Sequence, residues 1–238
     1  MKVKFVILAV LFTGCTAKWR APDGFTQKNI KTSYFDIATH QRLTNPDTPI
    51  YIYIEGDGYA FDARGKPTHN PTPHGTTMRD IAASAPYENV VYMARPCQFT
   101  QDTKCTKSDW TNGRFSVLAT DSVADAIKQI ARTQPVILIG YSGGAMISGL
   151  VIQKHPEINI QKWITVAGVL NHQDWTQYFG DAPLLKSENL EQLPRVPQKH
   201  YIAEHDTVVP YELSKKWLQE QEIIIVPNPN HWNIYINE

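Results

Sequence analysis

Val136-Ile137-Leu138-Ile139-Gly140-Tyr141-Ser142-Gly143-Gly144-Ala145 is the stretch on which the fold turns. Pro135 precedes four consecutive apolar residues, three of them β-branched, which read as a buried strand. The run stops at Gly140-Tyr141-Ser142-Gly143-Gly144, a G-x-S-x-G pattern, and a helix is expected after it as far as His155-Pro156. Strand, sharp turn and helix in that order lift such a serine above a sheet edge. The turn tolerates only small neighbours, and Gly140, Gly144 and Ala145 supply them. Gly143 opens the helix, so its backbone N–H points to where negative charge would develop on an attacked acyl group. The competing reading is a glycine-rich turn with a passive serine, which the strand-turn-helix setting disfavours.

Short apolar runs flank this stretch on both sides. Ile50–Ile54, Asn89–Met93, Trp163–Ala167, His200–Ala203 and Ile223–Val226 read as strands. Thr77–Ser84, Phe115–Arg132 and Pro210–Gln219 read as helices, the second with Val123, Ile127 and Ile130 on one face. Strands alternating with helices predict an α/β class: a mostly parallel sheet with helices on both faces. Lys28–Ile37 is expected as a first strand, 40–49 and 57–76 as loops, and 170–198 as an irregular segment forming a small cap. One domain over residues 26–238 is the simplest division.

Composition excludes several functions. The 238 residues are 42% hydrophobic and 19% charged, a globular balance. Lys plus Arg equals Asp plus Glu at 23 each, with no basic stripe, so nucleic acid is not an expected partner. Lys2 and Lys4 followed by the apolar run Phe5–Phe12 read as a secretory signal. The run falls well short of the ~20 residues a membrane span needs. Leu11-Phe12-Thr13-Gly14-Cys15 resembles a bacterial lipobox, with Phe12 where Leu is usual. Residues 1–14 are then a lipoprotein signal peptide, Cys15 carries the lipid that holds the protein to a membrane, and residues 15–25 are a tether. The alternative is an ordinary signal peptide with Cys15 incidental. Thr16 differs from the Asp usual for inner-membrane retention, which favours the outer membrane of a two-membrane cell. Cys97 and Cys105 remain, and their spacing permits a disulfide in an oxidising compartment without requiring one. No His or further Cys lies near them at metal-ligand spacing, and neither a metal nor an organic cofactor is expected.

A serine hydroxyl needs a base to take its proton, and the usual base is a histidine held by a carboxylate. In strand-turn-helix enzymes the chain order is Ser, acid, His. His231, in the loop after the last strand, fits that order; His172 is the rival. Asp206, after the strand at His200–Ala203, is the candidate acid, with Glu204 and Asp174 as competitors. A second oxyanion donor is expected from Glu55-Gly56-Asp57-Gly58, through the N–H of Asp57 or Gly56. A carboxylate beside an oxyanion would repel it, so the Asp57 side chain is expected to point away or to hold a neighbouring loop.

Together these residues resemble the α/β-hydrolase family over most of the chain from Ile50 to His231. Tyr53-Ile54-Glu55-Gly56-Asp57-Gly58, Ala94-Arg95-Pro96-Cys97-Gln98, Cys105, Trp110 and Arg114 more narrowly resemble exported bacterial serine hydrolases of undefined substrate. That resemblance implies a Cys97–Cys105 disulfide. It supplies no substrate; the site residues and the α/β-hydrolase resemblance predict hydrolysis of a small acyl substrate, an ester or else a thioester or amide, by a carboxylesterase- or lipase-like enzyme. Glu55 stands where the family's histidine-glycine oxyanion motif begins. The rival functions are a non-catalytic lipid-anchored binding module on the same fold and a serine peptidase.

Overall fold

Ile50, Ile52 and Ile54 point to one side of their strand and Tyr53 to the other, and both sides are covered. That two-sided burial explains why the central strands read as continuous apolar runs. The computed structural model describes residues 19–100, 102–219 and 221–236. The expected signal segment and Cys15 lie outside them.

The strands are β1 (Thr26–Ile30), β2 (Ile37–Leu43), β3 (Ile50–Ile54), β4 (Asn89–Met93), β5 (Val136–Tyr141), β6 (Ile160–Val166), β7 (Gln198–Ala203) and β8 (Glu222–Val226). They form one sheet in the order β1-β2-β4-β3-β5-β6-β7-β8. β1–β2 and β2–β4 pair antiparallel, and every later pairing is parallel. The helices are α1 (Thr77–Ser84), α2 (Lys107–Trp110), α3 (Val117–Ala131), α4 (Gly143–Lys154), α5 (His172–Phe179) and α6 (Tyr211–Leu218). α3 and α4 cover one face, where Ile127, Leu138 and Leu150 are fully buried. α1 covers the other through Met78 and Ala82. Each such aliphatic side chain contributes about 1.5–3 kcal/mol by burial.

The order in which strands are added reverses at β3. From β3 the chain steps through α1 to β4 on one side, then returns through α3 to β5 on the other. The segments after β3 and β5 therefore lead to opposite faces, and a crevice opens at their carboxyl ends. The register Ile54↔Gly140 sets Glu55–Gly58 directly beside Ser142.

Two expectations at the amino-terminal side are corrected. The strand expected over Lys28–Ile37 is two strands, β1 and β2, joined by residues 31–36, and the following loop begins after Leu43. β2 escapes a hydropathy reading because Thr39, His40 and Gln41 are polar yet buried between two strands. Each finds a local contact: Thr39 donates to the Lys28 carbonyl at 2.9 Å, Gln41 to Thr39 at 2.9 Å, and the His40 ring stacks on Trp19 at 3.9 Å. The same contact docks the tether, since Trp19 also stacks on Phe99 at 3.9 Å. Within the segment expected as a tether, Trp19 and Phe25 thus pack on the domain, while Arg20, Asp23 and Gly24 are exposed.

Burial lowers His200 to about 4, and burial with the nearby Arg79 guanidinium lowers His40 to about 4. Both imidazoles are neutral in the fold and gain protons on unfolding between about pH 6.5 and 4. The unfolded state binds more protons in that window, so stability falls as pH falls through it. The thermal midpoint should be steady above about pH 7 and drop between pH 6.5 and 4.5, less steeply in His200→Gln. A midpoint independent of pH over that range would contradict the assignment.

Candidate active site

Ser142 joins β5 to α4 with φ +51°, a left-handed conformation that costs a non-glycine residue about 1–3 kcal/mol. Backbone bonds over-determine the turn. The Ser142 N–H donates to the Val166 carbonyl at 3.0 Å, and its own carbonyl accepts from Ala145 at 3.1 Å and Val169 at 3.0 Å. A Cβ on Gly144 would lie 2.6 Å from the Glu55 carbonyl oxygen, so only glycine lets α4 start so close to the end of β3.

Ser142 Oγ lies 3.0 Å from His231 Nε2, and His231 Nδ1 lies 2.8 Å from Asp206 Oδ2. The other Asp206 oxygen accepts from the amides of Val208 at 2.8 Å and Val209 at 2.7 Å. The carboxylate is thereby pinned, with Oδ2 left for the imidazole. Asp206 accepts at Nδ1, which leaves Nε2 as the acceptor facing the serine hydroxyl. The Tyr141 hydroxyl donates to the His231 carbonyl at 2.8 Å and ties the late loop to the strand that carries the serine. Burial raises the Tyr141 phenol, so it stays a donor.

The rival residues lie elsewhere. Glu204 accepts from the Asn228 amide at 3.0 Å. Asp174 holds Lys216 and the Trp217 indole, each at 2.9 Å. His172 opens α5 and sits beside Phe115 on the cavity wall, and among the described residues neither of its ring nitrogens meets a hydrogen-bond partner. Burial and the nearby Arg114 lower its pKa.

Of the two amides proposed beside Gly143, only that of Asp57 is available. The Gly56 N–H donates to the Glu55 carboxyl at 2.9 Å, which corrects that alternative. Among the described residues, neither the Gly143 nor the Asp57 amide donates to a protein acceptor. Gly56 serves instead by close approach: a Cβ there would lie 3.0 Å from Ser142 Cβ. The Glu55 carboxyl also accepts from the Tyr92 hydroxyl at 2.8 Å, and burial raises its pKa.

The Asp57 side chain does hold a neighbouring loop, but it does not turn away. Its carboxylate lies where a Cβ on Gly143 would stand. Asp57 Oδ1 pairs with Arg95 Nη1 and Oδ2 faces Arg114 Nε, both at 3.1 Å. Arg95 Nη2 donates to the Arg114 carbonyl. Gln98 accepts from the Arg95 amide at 3.0 Å and donates to the Gly56 carbonyl at 2.9 Å. Cys97, bonded to Cys105, and Phe99 both have positive φ, so the turn carrying Arg95 and Gln98 is strained and covalently clamped. Sequence reading gave Arg95, Gln98 and Arg114 no role. The available signal was Asp57 itself, because a carboxylate at that position demands a counter-charge.

Ser142 and His231 open on a cavity of about 500 Å³ whose walls include Phe61, Phe115, Val169, Trp175 and Trp232. His172 and Trp175 come from the segment expected as a cap, which holds α5 and then an irregular stretch buried at Leu184 and Leu190. No group of three or more His, Cys, Asp or Glu among the described residues is arranged to hold a metal ion. The site can present a hydroxyl, a base beside it and two unpaired amides to a largely apolar ligand.

Asp57→Asn removes the carboxylate between two buried guanidiniums and should cost about 3 kcal/mol in denaturant unfolding. A loss below about 1 kcal/mol, the range of a surface pair, would contradict that pairing.

No family model matches the sequence, and no curated protein matches it. Solved structures are similar in fold. An α/β serine hydrolase without a lid from Xanthomonas campestris is similar with a TM-score of 0.54 at 15% identity, over 89% of this chain and 87% of that one. A serine hydrolase from Cycloclasticus zankles gives 0.57 at 13% identity, over 88% and 92%. Est1E from Butyrivibrio proteoclasticus gives 0.59 at 10% identity, over 88% and 91%. With the sheet order and crevice described above, these likenesses establish that the chain has the α/β-hydrolase fold.

Proposed function

We propose that the protein is a serine hydrolase that cleaves a carboxylic ester through an acyl-enzyme on Ser142. The observation that carries this is the 3.0 Å and 2.8 Å relay from Ser142 through His231 to Asp206, opening on the cavity beside two unpaired amides. Ser142 Oγ attacks the acyl carbon while its proton passes to His231 Nε2. Asp206 keeps the imidazole in the accepting tautomer and stabilises the imidazolium. The Gly143 and Asp57 amides donate to the tetrahedral oxyanion. Collapse expels the alcohol, which leaves with the proton from His231. Water then attacks the acyl-enzyme, gives its proton to His231 and releases the acid as Ser142 regains its hydrogen. The Asp57 carboxylate does not oppose the oxyanion, because two guanidiniums hold its charge. The largely apolar walls favour an ester over a peptide, whose backbone would leave polar groups unpaired there.

Turnover of p-nitrophenyl butyrate should fall by about 10⁴-fold or more in Ser142→Ala and by a comparable factor in Asp206→Asn, with thermal midpoints near wild type. Ser142→Ala turnover equal to wild type would reject the mechanism.

We also infer that the protein is exported and lipid-anchored through Cys15. The Cys97–Cys105 disulfide supports an oxidising compartment. Trp19, docked on the domain, would keep it within about 14 Å of the lipidated residue. Cys15→Ser should abolish incorporation of an alkynyl fatty acid and move the protein out of the membrane fraction. Labelling that survives this change would reject the anchor.

A further inference from the structure

We infer that Arg114 forms an anion-binding subsite in the cavity, and that the substrate of the Ser142 site carries a carboxylate or similar anionic group. The substrate half of the inference rests on the hydrolase reading; the binding half does not.

Arg114 lines the same cavity as Ser142 and His231, yet the residue is only 6% exposed. A buried guanidinium needs acceptors for its donors and a counter-charge. Asp57 supplies part of this, but that one carboxylate is shared. Its Oδ1 goes to Arg95 and its Oδ2 to Arg114. The terminal nitrogens of Arg95 are both used, one by Asp57 and one by the Arg114 carbonyl. Among the described residues, no acceptor meets the two terminal nitrogens of Arg114. Two guanidiniums thus share one carboxylate, and the unmatched charge lies on the residue at the cavity wall.

No other cavity group neutralises it. Glu55 lies on the wall but is committed to the Gly56 amide and the Tyr92 hydroxyl, and burial disfavours its charge. His172 is held neutral by burial and by Arg114 itself. His74 packs at a tilt against Tyr59 and brings no negative charge.

The surroundings favour an anion. Phe61, Phe115 and Trp175 lie around the guanidinium with ring centroids 5.7, 5.6 and 5.7 Å from its carbon. They stabilise the cation through their π faces. A guanidinium with free terminal donors in an apolar recess binds a carboxylate through strong, charge-assisted bonds. Arg114 helps to hold Asp57 through Nε, but that contact leaves its two terminal nitrogens without an acceptor among the described residues.

The test measures binding to Ser142→Ala by tryptophan fluorescence, with Trp175 in the subsite wall. Monomethyl adipate places a carboxylate on the acyl side of its ester, and 4-acetoxybutanoate places one on the alcohol side. Dimethyl adipate and butyl acetate are the neutral counterparts. At least one acid should bind at least about tenfold tighter than its counterpart, and the one that does identifies the side. The preference should shrink as salt rises, disappear in Arg114→Gln and survive in part in Arg114→Lys. If Arg114→Gln does not fold, the salt dependence and Arg114→Lys decide. Equal or undetectable binding of acids and neutral esters overturns the subsite, as does a preference that Arg114→Gln retains. Acid preference without Ser142-dependent turnover of p-nitrophenyl butyrate, monomethyl adipate or 4-acetoxybutanoate would keep the subsite and reject the hydrolase reading. Turnover without acid preference would do the reverse.

Discussion

The Asp57 carboxylate packs against the first residue of α4, in the space a side chain at position 143 would fill, and two buried guanidiniums hold it there. Much of the site depends on this contact. It seats the turn after β3 against the serine turn after β5 and leaves the Asp57 amide unpaired beside Ser142. In the proposed mechanism, a carboxylate so near the oxyanion is tolerable only when its charge is already spent on Arg95 and Arg114. Those arginines stand in place by other means. The Cys97–Cys105 bond clamps a strained turn, and Gln98 links that turn to both the Arg95 amide and the Gly56 carbonyl. A disulfide thus bears on the position of a backbone N–H in the site.

The other half of the site is assembled from the late part of the chain. Two amides fix Asp206, which fixes one imidazole nitrogen, while the Tyr141 hydroxyl anchors the His231 backbone. The parts meet because the strand order reverses at β3. That reversal opens a crevice where the segments after β3 and β5 diverge, and the long excursions 57–76 and 170–198 wall it. The serine sits at its edge in a backbone conformation that only dense packing on both sides can hold.

The central sheet was legible because its strands are buried on both faces and therefore read as unbroken apolar runs. The serine turn was legible because its geometry admits only small residues, and Asp206 and His231 followed from chain order. β2 was not legible, since Thr39, His40 and Gln41 are polar residues buried between strands. Nor was the docking of Trp19, a lone aromatic in a polar segment with no periodicity. The ion-paired cluster links positions 57, 95 and 114, and no local pattern signals contact among residues so far apart. The choice between Gly56 and Asp57 turned on a bond between Glu55 and the amide next to it, which only coordinates reveal.

The account stands or falls on whether Ser142 is an activated nucleophile. The most direct measurement is reaction of the purified chain from Thr16 onward with a fluorophosphonate probe, followed by mass-spectrometric mapping of the adduct. The account predicts a single adduct on Ser142 that is lost in His231→Ala. A folded protein that stays unlabelled, or that carries its adduct on another residue, would contradict it.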